Sequence, residues 1–271
     1  MAEHPNLISR TVSKYRAREV AAQTDHLAVE EPLDIRLSNG GPARSVAITM
    51  RTPGDDANLA RGFLFTEGIL GARTPVQCEE TKSNVVTVCL PPAEAIDWSR
   101  LNRHSYTSSS CGVCGKTSLE QVYQTIPFGN APRTLLVPPE VLYSLPNKLR
   151  AAQVLFAQTG GIHAAGLFTP QGELLHFAED VGRHNALDKL IGHYHARQAL
   201  PLDAHVLLLS GRASFELIQK AGMAGIGLVA AVGAPSSLAV QLAEELGITL
   251  VGFLREGRFN CYGGKERLER N

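Results

Sequence analysis

The order of apolar and polar positions changes character midway along the chain. Short alternating runs dominate the first half. Leu33 to Leu37 and Ala43 to Met50 flank an Asn39-Gly40 turn and predict a β-hairpin, and Asn84 to Leu90 predicts another strand, ended by Pro91-Pro92. Between them Leu59, Ala60, Phe63 and Leu64 recur at helical spacing. They predict a helix over about 57–69, entered through Pro53-Gly54-Asp55-Asp56, with Arg61 and Glu67 turned to water.

The second half alternates helices with continuous apolar strands. Helices are predicted over 148–158, closed by Gly160-Gly161, and over 183–195, 213–223 and 236–246. Strands are predicted over 163–168, 173–178, 205–209, 226–232 and 248–253, the first two joined by the Pro170-Gln171-Gly172 turn. Buried strands interleaved with helices predict an α/β fold whose sheet is largely parallel and covered on both faces. Pro132, Pro138, Pro139 and Pro146 mark a connection between a β-rich N-terminal domain, 1–135, and an α/β domain, 136–271.

Composition narrows the partners. The chain has 271 residues, 44% of them hydrophobic, which suits a large globular core. With 26 basic and 26 acidic residues the net charge is zero, so neither nucleic acid nor a membrane surface is expected as a partner, and an anionic ligand needs a local site. No secretory h-region or 18-residue apolar run is visible, so a cytoplasmic protein is expected. Five cysteines do not make a secreted disulfide framework; Cys78, Cys89 and Cys261 are expected reduced, Cys89 as a buried strand thiol, and the role of Cys261 is left unassigned.

Two of those cysteines sit in Ser108-Ser109-Ser110-Cys111-Gly112-Val113-Cys114-Gly115. Lys116 and a helix start capped by Thr117 and Glu120 would favour thiolate there. Three chemistries compete. Zinc needs about four ligands, and only one C-x-x-C is present, so no permanently bound metal is expected. A thioredoxin-type dithiol wants a preceding parallel strand, whereas Leu101 to Ser110 is polar and loop-like. A nucleophilic thiol carrying a covalent cargo such as a persulfide on a mobile loop needs neither.

Other groups could hold an anion. Thr159 to Ala165 and Glu179 to Lys189, the latter holding Asp180, Arg183 and His184 around a helix start, suggest a polar cleft at strand ends, against the plainer reading of helix capping and a core histidine. Ser210-Gly211-Arg212-Ala213-Ser214 and Gly233-Ala234-Pro235-Ser236-Ser237 each join a strand to a helix, where backbone N–H groups meet phosphate or merely cap the helix. Phe253-Leu254-Arg255-Glu256-Gly257-Arg258-Phe259-Asn260 pairs two arginines with two phenylalanines, suited to phosphate and a purine.

Taken together, these stretches, with Arg51 to Asp55, Gly62 to Gly68 and Gly252 to Tyr262, resemble the formate dehydrogenase accessory sulfurtransferases, the FdhD-type sulfur carriers. The resemblance implies a cytidine-deaminase-like three-layer α/β/α sheet in the larger domain and a homodimer. It implies a sulfurtransferase that takes sulfur from a cysteine desulfurase as a persulfide and passes it to bis-molybdopterin guanine dinucleotide, the molybdenum cofactor, before that cofactor enters formate dehydrogenase. Cys111 would carry the persulfide, with Cys114 a second acceptor or resolving thiol, and Phe253, Leu254, Arg255, Glu256, Gly257 and Arg258 would bind the cofactor. His163 is followed by Ala164-Ala165, so the H-x-E of zinc deaminases is missing. The alternative is a non-catalytic guanine-nucleotide or cofactor-binding chaperone whose thiols are incidental.

Overall fold

A computed structural model describes residues 5–17, 19–92, 96, 98, 125–129 and 135–268. The N-terminal half carries β1 (Leu7–Arg16), β2 (Glu19–Ala28), β3 (Glu31–Ser38), β4 (Arg44–Arg51), α1 (Asp56–Thr66), β5 (Gln77–Lys82) and β6 (Val85–Cys89). The C-terminal half carries α2 (Pro139–Ala152), α3 (Val154–Thr159), β7 (His163–Phe168), β8 (Leu174–Asp180), α4 (Arg183–Ala196), β9 (Val206–Leu209), α5 (Phe215–Met223), β10 (Leu228–Ala231), α6 (Ser237–Glu245), β11 (Thr249–Arg255) and β12 (Arg258–Gly263). It is a mixed α/β architecture.

The central sheet runs β12-β11-β10-β9-β7-β8. Only β9, β10 and β11 are mutually parallel; β7 runs antiparallel to β8 and β9, and β12 antiparallel to β11. The sheet is therefore mixed, which corrects the expectation of a largely parallel one. The cause is local: a turn as short as Thr169 to Gly172, or Glu256-Gly257 with Gly257 at φ +74°, can only return the chain antiparallel.

Alternation along the strands sends side chains to two cores. Leu142, Leu145 and Leu149 of α2 pack with Val206, Leu208, Leu228, Ala230 and Val251 on one face. On the other, Leu207, Leu209, Val229 and Leu250 meet Leu190 of α4, Ile218 of α5 and Leu242 of α6. That second core also holds Leu33, Ile35, Val86 and Val88 from the four-stranded sheet β4-β3-β6-β5, so residues on both sides of position 135 share it.

The join is close. A Cβ on Gly62 of α1 would fall 1.9 Å from the Asp188 carbonyl oxygen of α4, and one on Gly192 would fall 1.9 Å from that of Asn58. Only two glycines let these helix backbones touch. Glu67, expected to face water, instead pairs with Lys220 of α5 at 3.7 Å. The proline-rich connection is also partly helical. Pro139 takes the first turn of α2, where its missing N–H costs nothing, and Pro146 lies inside that helix. No helix among the described residues is long and apolar enough to cross a membrane.

Candidate functional site

Three loops meet at the carboxyl ends of β9, β10 and β11. The Gly233 N–H donates to the Gly211 carbonyl at 2.7 Å, Ser236 N–H to that of Ala213 at 3.0 Å, and Phe253 N–H to that of Gly233 at 3.0 Å. A Cβ on Gly233 would lie 2.9 Å from the Arg212 backbone, so the first two loops stack main chain on main chain. They differ in use. Ser236 caps α6, its Oγ accepting from the Ala239 N–H at 3.3 Å, whereas Ser214 makes no such cap on α5 and faces His184 Nε2 at 3.4 Å. Capping thus explains the second loop and leaves the first open to another task.

Around the first loop lies a cluster of two histidines, two arginines and one carboxylate. The His163 ring rests against Gly211, whose Cβ would come within 3.3 Å of it. Burial, then the nearby Arg183 and His184, push His163 below the usual imidazole range. His184 is 6% exposed, its Nε2 is 3.9 Å from Glu216 Oε2, and its Nδ1 has no partner among the described residues, nor has Arg183 Nε. Burial alone would raise the Glu216 carboxyl, but hydrogen bonds from His184 and Ser214 outweigh it and bring it to about 2.

The acids of this region are already committed. Asp180 pairs with Lys189 at 2.8 Å and accepts from the backbone N–H of Gly182 at 2.8 Å and of Thr52 at 3.1 Å. Glu179 accepts from the Leu155 and Phe156 N–H groups at 3.2 and 3.0 Å, holding the start of α3 from outside the helix. Helix α3 then ends at Gly160, φ +64°, and leads through Gly161 to His163. With both carboxylates spent internally, Arg183 and Arg212 give the rim its sign. Beside it opens a groove of about 480 Å³ walled by Arg150, Phe156, Gly161, His163, Ser210 and Val232. The Arg150 guanidinium stacks 3.7 Å over the Phe156 ring.

The β11–β12 turn borders the same end of the sheet. Phe253 is 46% exposed at φ +53°, Leu254 is buried, and Arg255, Glu256, Gly257 and Arg258 are exposed. Arg255 donates to the Val232 carbonyl at 2.6 Å, tying the turn to the end of β10. The structure therefore brings the 159–163, 179–184, 210–214, 233–237 and 253–258 stretches to one edge. Arg150, Phe156 and the Ser214–His184–Glu216 contact were not singled out from sequence, since nothing in one chain assigns a helix residue to a groove.

Cys111 and Cys114, with Lys116, Thr117 and Glu120, lie outside the described residues. Burial lifts the Cys78 thiol to about 11, and burial followed by Glu79 raises Cys89, which is half-buried, so neither is an activated nucleophile. Cys261 is exposed and donates to the Gly263 carbonyl. Among the described residues no group of three or more His, Cys, Asp or Glu side chains is arranged to hold a metal.

Residues 28–269 match the model of the FdhD/NarQ family. The chain is 52% identical to the sulfur carrier protein FdhD of Streptomyces avermitilis, over 96% of this chain and 94% of that one. Its identity to the protein of the same name from Mycolicibacterium paratuberculosis is 51%, over 96% and 97%. The fold matches a crystal structure from Desulfotalea psychrophila, provisionally described as a formate dehydrogenase accessory protein, with a TM-score of 0.77 at 24% identity over 98% of this chain and 100% of that one.

Proposed function

This chain belongs to the FdhD/NarQ family, and on that footing we propose that it is a cytoplasmic, dimeric sulfur carrier serving formate dehydrogenase. Cys111 thiolate attacks the terminal sulfur of a cysteine desulfurase persulfide. A new S–S bond forms on Cys111, the donor S–S bond breaks, and the donor cysteine departs as thiolate. The acceptor is bis-molybdopterin guanine dinucleotide, whose phosphates suit the Arg183, Arg212 and His163 rim and whose guanine suits Phe253 beside Arg255 and Arg258. Leu254, Glu256 and Gly257 shape that turn, and Cys114 takes or resolves the sulfur second. In this reading the α/β/α layers are a cytidine-deaminase-like fold turned from hydrolysis to carriage.

The observation that carries this proposal is the pair of arginines, Arg183 and Arg212, at the strand-end loops, with Asp180 ion-paired and Glu179 hydrogen-bonded inside the fold. A thiol carrier needs such a place to hold a phosphate-bearing acceptor while sulfur moves. The test is mass spectrometry after incubation with desulfurase and cysteine. One extra sulfur on Cys111, absent in Cys111→Ala along with support of formate dehydrogenase, is expected. Full complementation when Cys111 and Cys114 are both serine would instead favour a cofactor-binding chaperone, which the same rim would serve.

A further inference from the structure

The groove beside the arginine rim differs from the rim in charge. Among the described residues that line it there is no Asp or Glu, and its one permanent cation is Arg150, laid over the Phe156 ring at 3.7 Å. Burial pushes His163, a second wall, below the usual imidazole range, so it adds no charge near neutral pH. The floor is apolar, since Leu149, Ile162 and Leu208 are buried. Polar groups gather toward the mouth. Asn147 is exposed there, and Ser210 Oγ accepts from the Ala164 N–H at 2.8 Å, which leaves its own O–H to donate, with no acceptor found for it among the described residues.

Such walls suit a flat, uncharged ring that carries hydrogen-bonding groups on its edge. A phosphate is better served by Arg183 and Arg212, and an aliphatic ligand would leave Ser210, His163 and Asn147 unpaired. Arg150 supplies the stacking surface. Phe156 fixes the guanidinium plane from one side, and because Arg150 is exposed a second ring can stack on it. Size agrees. At about 480 Å³ the groove falls within the roughly 300–1,000 Å³ of small-molecule pockets.

We propose that this groove binds the pterin ring of the acceptor, as a subsite separate from the phosphate rim and from the turn at 253–258. The assignment rests on the acceptor proposed for Cys111, in which each half joins a pterin to guanosine through a diphosphate. With the phosphates at the rim and guanine at the turn, the pterin is the part left to place. The groove adjoins both: His163 and Ser210 join it to the rim, and Val232, whose carbonyl accepts from Arg255, joins it to the turn. The amino and carbonyl edge of a pterin matches Ser210, His163 and Asn147, while its face lies on Arg150. Because the metal of that cofactor is carried at the pterin end, a groove that fixes the pterin also fixes the end that receives sulfur.

The test gives the full-length protein two probes, hydroxymethylpterin followed by its own fluorescence and guanosine diphosphate followed by calorimetry. Both are expected to bind at once, with saturating guanosine diphosphate changing the pterin affinity by no more than about twofold. Arg150→Ala is expected to weaken the pterin roughly tenfold, and Arg150→Lys, which keeps the charge but loses the flat face, nearly as much. Both variants should hold guanosine diphosphate within about twofold of wild type. No pterin binding, displacement of pterin by guanosine diphosphate, or full pterin affinity in Arg150→Lys would each overturn the assignment. If wild type binds pterin through Arg150 but fails to bind guanosine diphosphate, the groove stands and the phosphate rim falls, so the two readings fail separately.

Discussion

Residues 179–189 serve two regions of the molecule that treat the same kinds of side chain in opposite ways. In the interior, Asp188 accepts from Lys220 at 2.9 Å and from Thr66 at 2.9 Å, Lys220 also donates to Thr66 at 2.8 Å, and Asp180 and Lys189 form a second buried pair. Each charge there has a partner, and together they tie α1, α4 and α5 to one another. At the strand ends, three residues away, Arg183 and His184 keep ring or guanidinium nitrogens with no partner among the described residues. A dense polar motif is thus half brace and half site, and what separates the halves is whether hydrogen-bonding capacity has been used up.

The largest effect is expected from breaking the brace. Burial would lower the Lys220 ammonium, but Asp188 and Glu67 outweigh it and hold it above the usual lysine range. Asp188→Ala leaves that buried charge with only Glu67, at 3.7 Å, as an acidic partner, at a cost of about 3–5 kcal/mol. Urea or thermal unfolding should show the loss. Next comes Gly192→Ala, whose new methyl would meet the Asn58 carbonyl at 1.9 Å and force α1 from α4, for about 1–3 kcal/mol. Retention of wild-type stability by either variant would mean that the interior does not depend on these contacts.

Periodicity made most of this fold legible. Helices α1, α4, α5 and α6 and strands β3, β4, β6, β7, β9, β10 and β11 lie where the apolar spacing puts them. The exposed arm escaped because Leu7–Arg16 and Glu19–Ala28 have no core face to write a period-two pattern, and β12 because it is an edge strand with little to bury. The start of α2 was hidden by prolines that read as linker until their place in the helix is seen. For the site, sequence offered the right five stretches but not the division of labour within them. Asp180 and Arg183 look equally available in a string of letters, and only the pairing with Lys189 and Thr52 tells them apart.

On the open side the expected cost moves from stability to ligand. Arg212 is exposed, and no ion pair involving it was found among the described residues, so Arg212→Ala should change unfolding free energy by no more than about 0.5 kcal/mol. The same change should weaken binding of a guanosine diphosphate probe roughly tenfold, about the worth of one charge-assisted phosphate contact. Calorimetric titration beside a thermal melt reads both. A variant that unfolds early but binds normally would place Arg212 with the brace rather than the rim.

The smallest expected effect concerns His176 on β8, which stacks on His193 of α4 with ring centroids 3.7 Å apart and planes 16° apart. Burial first, then His193 and Arg197, lower His176 from 6.5 to about 4, and burial followed by Arg197 lowers His193 as well. Because the folded protein prefers the neutral ring, the contribution to stability is present above about pH 6.5 and is lost as pH falls through that value toward 4. Glu216 is depressed to about 2, so its contribution is present above its ordinary value of 4.5 and is lost only below it, and the two windows meet only between about 4 and 4.5. His176→Phe keeps a ring for the stack and removes the titration. It should flatten the fall in stability between pH 6.5 and 4 by about 1 kcal/mol, once screening of these partly exposed rings is allowed for, while leaving the fall below pH 4.5 in place. Denaturant midpoints taken across pH 7 to 3 check this, and an unchanged slope between 6.5 and 4 would show that the stacked pair does not sense acid.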